Sequence, residues 1–138
     1  MGKKHRPVWL NRFVAAPGPF LTLCLDEQTF LAAMAHCKIG SPNPWLNAGA
    51  NATMHPLLRN NKDLTCVVCL EEGTYALTEV LGILVHEAVH VWQSYAEGIG
   101  EDKPAIEQEA YAIQAIAQEL ITSYLDQTKK HRITTKGA

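Results

Sequence analysis

Two histidines and a glutamate in the second half of this 138-residue chain have the spacing of a metal site. His86 and His90 are four residues apart, and Glu87 follows the first histidine directly. No proline interrupts residues 79–98, where apolar residues recur at helical spacing. Positions i and i+4 of an α-helix lie on one face, so both imidazoles can bind one metal ion. Glu87 then lies beside that ion, where a carboxylate can take a proton from metal-bound water.

The same motif allows a plainer interpretation, in which the two histidines are only polar residues in the core of a buried helix. An apolar helix makes this interpretation costly, because imidazoles and a carboxylate without partners are unfavourable to bury. The chain that follows also offers another candidate ligand on a second helix. The pattern therefore favours a metal site.

Two long helices are predicted around this motif. The first begins after Thr74, its predicted N-cap, and runs to about Glu97, before Gly98 and Gly100. The second begins near Asp102 and Pro104. Its predicted buried stripe is Ile106, Ala110, Ile113, Ala117, Leu120 and Tyr124. Because a short glycine-containing turn joins the two helices, they are expected to pack antiparallel.

A catalytic zinc ion usually has three protein ligands and an open position for water, so a third ligand is needed. Glu107 is adjacent to Ile106 on the helical wheel and borders the predicted buried face, which makes it the predicted third ligand. The alternative for Glu107 is an exposed surface charge. Glu109 is turned by about 200° from Glu107 and is expected to face solvent.

The first half of the chain is predicted to supply a small sheet. Asp26 is the predicted N-cap of a short helix over residues 28–37, with Phe30, Leu31 and Met34 on one face. Strands are predicted at residues 20–25, 52–58 and 64–70, the last two forming a hairpin across the polar turn 60–63. The predicted fold is α+β, with about three strands packed on the motif helix and a second long C-terminal helix.

The four cysteines allow a second metal site to be considered. Cys66 and Cys69 have the C-x₂-C spacing of zinc ligands, and the other two are Cys24 and Cys37. Residues 64–70, however, have the pattern of a buried strand, in which residues three apart face opposite sides. We therefore predict that these thiols behave as small apolar residues and share no metal.

Length and composition bound the function. The chain is expected to form one domain over residues 1–138, with a loosely packed arm at 1–18 and a polar tail at 129–138. A net charge of −2 gives no basic field for nucleic acid, and no apolar run is long enough for a membrane span. Without a secretory signal pattern, the cysteines are expected to be reduced and the protein cytoplasmic.

The motif and the second helix together resemble the gluzincin class of zinc metallopeptidases. The segment Glu107-Gln108-Glu109-Ala110-Tyr111 is similar to that class's E-x-x-A-D segment, whose first glutamate binds zinc. Tyr111 stands where the class usually has an acid that supports a zinc-binding histidine. The resemblance covers roughly residues 79–118. The size is similar to that of compact minigluzincins, several of which come from phages, prophages and bacteria.

The resemblance implies a zinc-dependent hydrolysis of peptide bonds. His86, His90 and Glu107 would hold Zn²⁺, and Glu87 would act as general base on the metal-bound water. An edge strand, either residues 64–70 or 52–58, would align a peptide or protein substrate by β-addition. Candidates for stabilising the oxyanion are Tyr75, Tyr95, Tyr111 and His55. The other function classes are a zinc-binding assembly or interaction protein without peptidase activity and a helical interaction module without metal.

Overall fold

The computed structural model describes residues 6–10, 19–40, 42–59, 63–73, 75–101 and 103–128. Three strands and three helices follow one another in the chain. They are β1 (Phe20–Cys24), α1 (Glu27–His36), β2 (Ala52–Arg59), β3 (Asp63–Leu70), α2 (Leu77–Gly98) and α3 (Ile106–Thr128). The predicted α+β class is confirmed, and each predicted strand and helix is present within a few residues of its expected bounds.

A three-stranded mixed sheet has β3 at its centre, in the order β1-β3-β2. β2 and β3 form the predicted hairpin, in which Ala52 pairs with Leu70 and Arg59 pairs with Asp63. β1 lies parallel to β3 on the other side, with Phe20 opposite Thr65. Because β3 has a partner on both sides and both faces covered, its last six residues are all buried. This explains why its sequence is a continuous apolar run and does not alternate.

The sheet lies between α1 on one face and the pair α2 and α3 on the other. Alternate residues of each strand point to opposite faces, so β3 contributes to two separate clusters. Cys66 and Val68 pack with apolar residues of α2 and α3. Val67 and Cys69 pack with residues of α1, including Phe30. The sheet thereby fixes α2 as a rigid support for the histidines that it carries.

The cysteines behave as the strand interpretation predicted. Cys66 belongs to the cluster under α2 and α3, whereas Cys69 belongs to the cluster under α1. The two thiols therefore lie on opposite faces of the sheet and cannot hold one metal ion. All four cysteines lie in the described part of the chain, are buried and form no disulfide.

Because Cys66 is buried, the stability of the protein is expected to fall at alkaline pH. Desolvation raises the pKa of the Cys66 thiol to about 12, whereas the unfolded thiol ionises near pH 9. Above that pH the unfolded chain loses a proton that the native chain keeps, so the free energy of unfolding falls as pH rises. The slope from one such group is at most about 1.4 kcal/mol per pH unit. Urea denaturation between pH 8 and 10.5 should show a smaller decline in Cys66→Val; equal slopes would contradict this role of the thiol.

The two edges of the sheet differ. At the outer edge of β1, Trp9 forms an antiparallel bridge with Thr22, and the Leu10 N–H donates to the Leu21 carbonyl at 2.9 Å. The Thr22 hydroxyl also donates to the Val8 carbonyl at 2.8 Å. No described residue pairs in this way with the outer edge of β2. Since an uncovered edge invites pairing with another chain, the open edge of β2 is a candidate binding surface.

Several helix details differ from the sequence predictions. Asp26 is the N-cap of α1 as predicted, but Leu31 is exposed. Thr74, the predicted N-cap of α2, lies outside the described residues, and Ala76 holds the N-cap position instead. The Ala76 N–H donates to Glu79 Oε1 at 2.9 Å, so a side chain in the first turn replaces the expected cap.

No described helix is both long and apolar enough to cross a membrane.

Candidate functional site

The long helix α2 presents two different faces. Its buried face carries Leu84, Ala88, Val91 and Trp92 against the sheet and α3. His86 and His90 are exposed and lie roughly on the opposite side, because each residue advances the helix by about 100°. Their rings stand edge to face with centroids 4.8 Å apart. The predicted i, i+4 pair of imidazoles is therefore present on one accessible face.

These histidines line a groove between α2 and β2. One cavity of about 610 Å³ is bordered by His90 and Glu97 on α2 and by Met54 and Pro56 on β2. A second cavity of about 490 Å³ extends toward the start of α2, where Glu79 and Asn51 line it. Both cavities share Ala52, His86 and Glu87 as lining residues. The histidine–glutamate pair thus stands where the two halves of the groove meet.

Glu87 is the buried acid of this groove, with 5% of its surface exposed. Burial raises the pKa of the Glu87 carboxyl above its ordinary value, while the neighbouring His86 and His90 act in the lowering direction. A carboxylate with a raised pKa is a better proton acceptor near neutral pH than an ordinary one. The position and environment of Glu87 therefore suit a general base.

His90 has a neighbour that was not predicted from the sequence. Its Nδ1 lies 2.9 Å from Gln93 Oε1. An Nδ1–H that donates to this amide oxygen leaves the Nε2 lone pair available to a metal. Gln93 also lines the larger cavity. Its position three residues after His90, on the same side of the helix, is the sequence signal that could have identified it.

The first turns of α3 are rotated relative to the prediction. Ile106 is 84% exposed and Ala110 is also exposed, whereas Ala112 and Ile116 are buried with the predicted Ala117, Leu120 and Tyr124. Glu109, which was expected to face solvent, is half-buried and accepts a 2.7 Å hydrogen bond from Trp92 Nε1. A buried indole N–H needs an acceptor, and this contact turns Glu109 toward α2. The expectation for Glu109 was wrong for that reason.

Glu107, the predicted third ligand, is exposed on α3 and lines neither cavity of the groove. Since α3 packs back against α2, Glu107 lies about 3 Å nearer the connecting turn than Glu109 does. Glu109 likewise lines neither cavity. The structure therefore brings together His86, Glu87 and His90 and does not bring Glu107 to them.

This donor set fits a zinc ion in part. Two imidazoles at helical spacing on one accessible face are suitable ligands. Within the described ranges, however, no group of three or more His, Cys, Asp or Glu residues is placed to hold a metal ion. The arrangement thus supplies two protein ligands and an adjacent base, and a third ligand would have to approach from elsewhere.

The candidates for stabilising an oxyanion lie outside the lining of the groove. Tyr75 contacts the lining of the groove, because its hydroxyl donates at 2.9 Å to Oδ1 of Asn51, which lines the smaller cavity. Tyr95 is buried beside Trp92, and Tyr111 is 66% exposed on α3. His55 is buried on the α1 side, where its Nε2 lies 3.0 Å from the Trp45 carbonyl oxygen and its ring contacts Phe30.

The different environments of Glu107 and Glu109 give a prediction for stability. Glu109→Ala leaves the buried Trp92 N–H without its acceptor, which should cost about 1–3 kcal/mol of unfolding free energy. Glu107→Ala removes an exposed side chain and should change stability by less than about 0.5 kcal/mol. Chemical denaturation of the metal-free variants measures both. Equal losses would contradict a stabilising hydrogen bond between Trp92 and Glu109.

Comparison of the chain with protein-family models, with curated proteins and with solved structures found no match.

Proposed function

We propose that the protein is a zinc-dependent metallopeptidase that hydrolyses peptide bonds in the groove between α2 and β2. The observation that carries this proposal is the placement of His86, Glu87 and His90 together at the junction of the two cavities. A motif present by chance in a structural helix has no reason to face a groove that is large enough for a peptide. The buried face of α2 carries apolar residues, whereas His86 and His90 are exposed to the groove and Glu87 is buried beside them.

Each residue has a distinct part in the proposed reaction. His86 and His90 would hold the zinc ion through imidazole nitrogens, and Gln93 would fix the tautomer of His90. Bound zinc supplies activation of water and polarisation of the scissile carbonyl. Glu87 accepts the proton of the attacking water and then donates it to the departing amine. Glu107 stays the sequence-predicted third ligand, and Glu109 is the alternative carboxylate on the same helix.

The sheet supports a peptide as the substrate. β3 is central and has both edges paired, so of the two strands considered from sequence only β2 can accept a further strand. β2 also borders the groove through Ala52, Met54 and Pro56. An extended peptide paired with this edge would run past Glu87.

We place the enzyme in the cytoplasm, because its four buried cysteines form no disulfide.

A second function is a zinc-binding assembly or interaction protein without hydrolytic activity. The observation that favours it is the missing third ligand, because among the described residues no carboxylate completes the pair of histidines. A site with two protein ligands would bind zinc more weakly and activate water less well than a site with three.

One experiment tests both proposals. Protein purified without added zinc is analysed for metal content and is then incubated with a library of unfolded peptides, with and without a chelator. About one zinc per chain together with chelator-sensitive cleavage supports the peptidase. Zinc without cleavage supports the binding protein, and the absence of zinc after incubation with equimolar Zn²⁺ contradicts both.

A further inference from the structure

The open edge of β2 contains a proline within the part that borders the groove. β2 continues through Pro56 to Arg59 and stays paired with β3, with Pro56 opposite Cys66. Because proline has no N–H, it is accommodated in such a strand when its nitrogen faces away from the partner. Pro56 therefore directs its backbone toward the open edge. Residues two apart in a strand share this direction, so Ala52 and Met54 also present their backbone groups there.

The hydrogen-bonding capacity of this edge follows from the residue types. Ala52 and Met54 each offer one N–H donor and one carbonyl acceptor, whereas Pro56 offers only its carbonyl. The same three residues line the groove. Leu58, the next residue with the same direction, is exposed and lines neither cavity. Regular pairing alongside the groove is thus available from Ala52 to Met54 and is interrupted at Pro56.

We propose that Pro56 is a specificity-determining residue that ends the pairing of an extended peptide with β2, so that the groove takes a short extended segment. This inference rests on the proposed function for its substrate class. Alongside the groove, only the stretch of peptide opposite Ala52 and Met54 exchanges hydrogen bonds in both directions, because Leu58 lies beyond the lining of both cavities. The peptide residue opposite Pro56 donates its N–H and leaves its carbonyl without a partner. Extension of the peptide beyond Pro56 therefore adds little affinity.

The charges of the groove guide the choice of peptide. Glu79 lines one end and Glu97 lines the other, and no lysine or arginine is among the lining residues of either cavity. A peptide with lysine at both ends complements these carboxylates. Alternating threonine and valine between the lysines favours the extended conformation. A series of such blocked peptides, with three to nine residues, is the probe for the experiment.

The experiment measures binding of this series to the Glu87→Gln protein, in which cleavage does not interfere. With proline at position 56, affinity should rise with peptide length and level off at about five residues. Pro56→Ala restores one edge donor, so the longer peptides should bind about 2- to 10-fold more tightly while the three-residue peptide is unchanged. Pro44→Ala, which removes an exposed proline outside the groove, should leave the whole series unchanged. A gain at every length, or at none, would overturn the role of Pro56.

A second measurement needs no change at Pro56. Single N-methyl groups placed along the nine-residue peptide remove one donor at a time. Methylation should weaken binding at alternate residues of the stretch that pairs with β2 up to Pro56, because only every second residue faces the edge, and should have little effect beyond Pro56. Uniform effects would overturn the inference even if the wild-type protein cleaves peptides, and the proposed function would then stand alone. The alternating pattern without any cleavage would support the inference and count against the peptidase.

Discussion

Glu87→Gln is expected to lower peptide hydrolysis by at least about 10²- to 10⁴-fold while the protein keeps its zinc. Glutamine preserves the shape of the side chain but cannot accept the proton of the attacking water. General base catalysis contributes rate factors of that size. Glu87 borders both halves of the groove and is not one of the two imidazole ligands. Cleavage rates and metal content of wild type and variant, measured on the same preparations, test this expectation.

Glu97→Gln is the matched control, because Glu97 is an exposed glutamate that lines the same groove from the same helix. The same chemical change there should reduce hydrolysis far less than it does at position 87. If Glu87→Gln hydrolyses peptides as fast as wild type, the cleavage belongs to another site or to a contaminant. Loss of zinc from Glu87→Gln would instead make the carboxylate part of the metal site.

His86→Ala and His90→Ala should each abolish stoichiometric zinc binding, and cleavage should be lost with the metal. The reason is that the described arrangement offers two imidazoles and no further group of ligands, so removal of either one leaves a single histidine. Both side chains are exposed, so each substitution should leave the stability of the metal-free protein within about 0.5 kcal/mol of wild type. Metal analysis after dialysis against micromolar zinc, combined with denaturation, separates loss of the ligand from loss of the fold.

His55→Ala is informative beside these variants, because His55 is a buried histidine outside the groove. Its contacts with the Trp45 carbonyl and with Phe30 are structural. This variant should lose stability and keep its capacity for zinc. Zinc retained at one per chain in a His86→Ala, His90→Ala double variant would move the site to other ligands and contradict the assignment.

The sequence predicted the elements whose signals lie in residues that are close together along the chain. The helical spacing of His86 and His90, the Asp26 cap and the hairpin of β2 with β3 are local signals, and the structure contains each of them. The orientation of the first turns of α3 could not be predicted in this way. It includes a hydrogen bond between Trp92 and Glu109, which belong to different helices. The apolar residue Ile106 indicated the wrong face of α3 as the buried one, because a helical wheel of one helix contains no information about the helix that packs against it.

The candidate site was predictable to the same extent. His86 and Glu87 were predicted from one motif. Which strand lies beside them depends on the strand order of the sheet, and the sequence did not decide between residues 64–70 and residues 52–58. The predicted ligand Glu107 depended on the rotation of α3 and on the resemblance, and neither of these is a local signal. Gln93 was identifiable from spacing alone, but a single glutamine at i+3 is too common to stand out without the observed contact.

The parallel pairing of β1 with β3 also bears on the order of folding. Phe20 pairs with Thr65, so the chain must close a loop of about 45 residues before this pairing forms, whereas the β2–β3 hairpin closes over a few residues. The side chain of Gln127 then joins the end of α3 to the Leu23 carbonyl, across 104 positions. Contacts between such distant positions slow folding, and local ones form early. The hairpin and α2 are therefore expected to form first and to offer the surface onto which β1 and the end of α3 dock last.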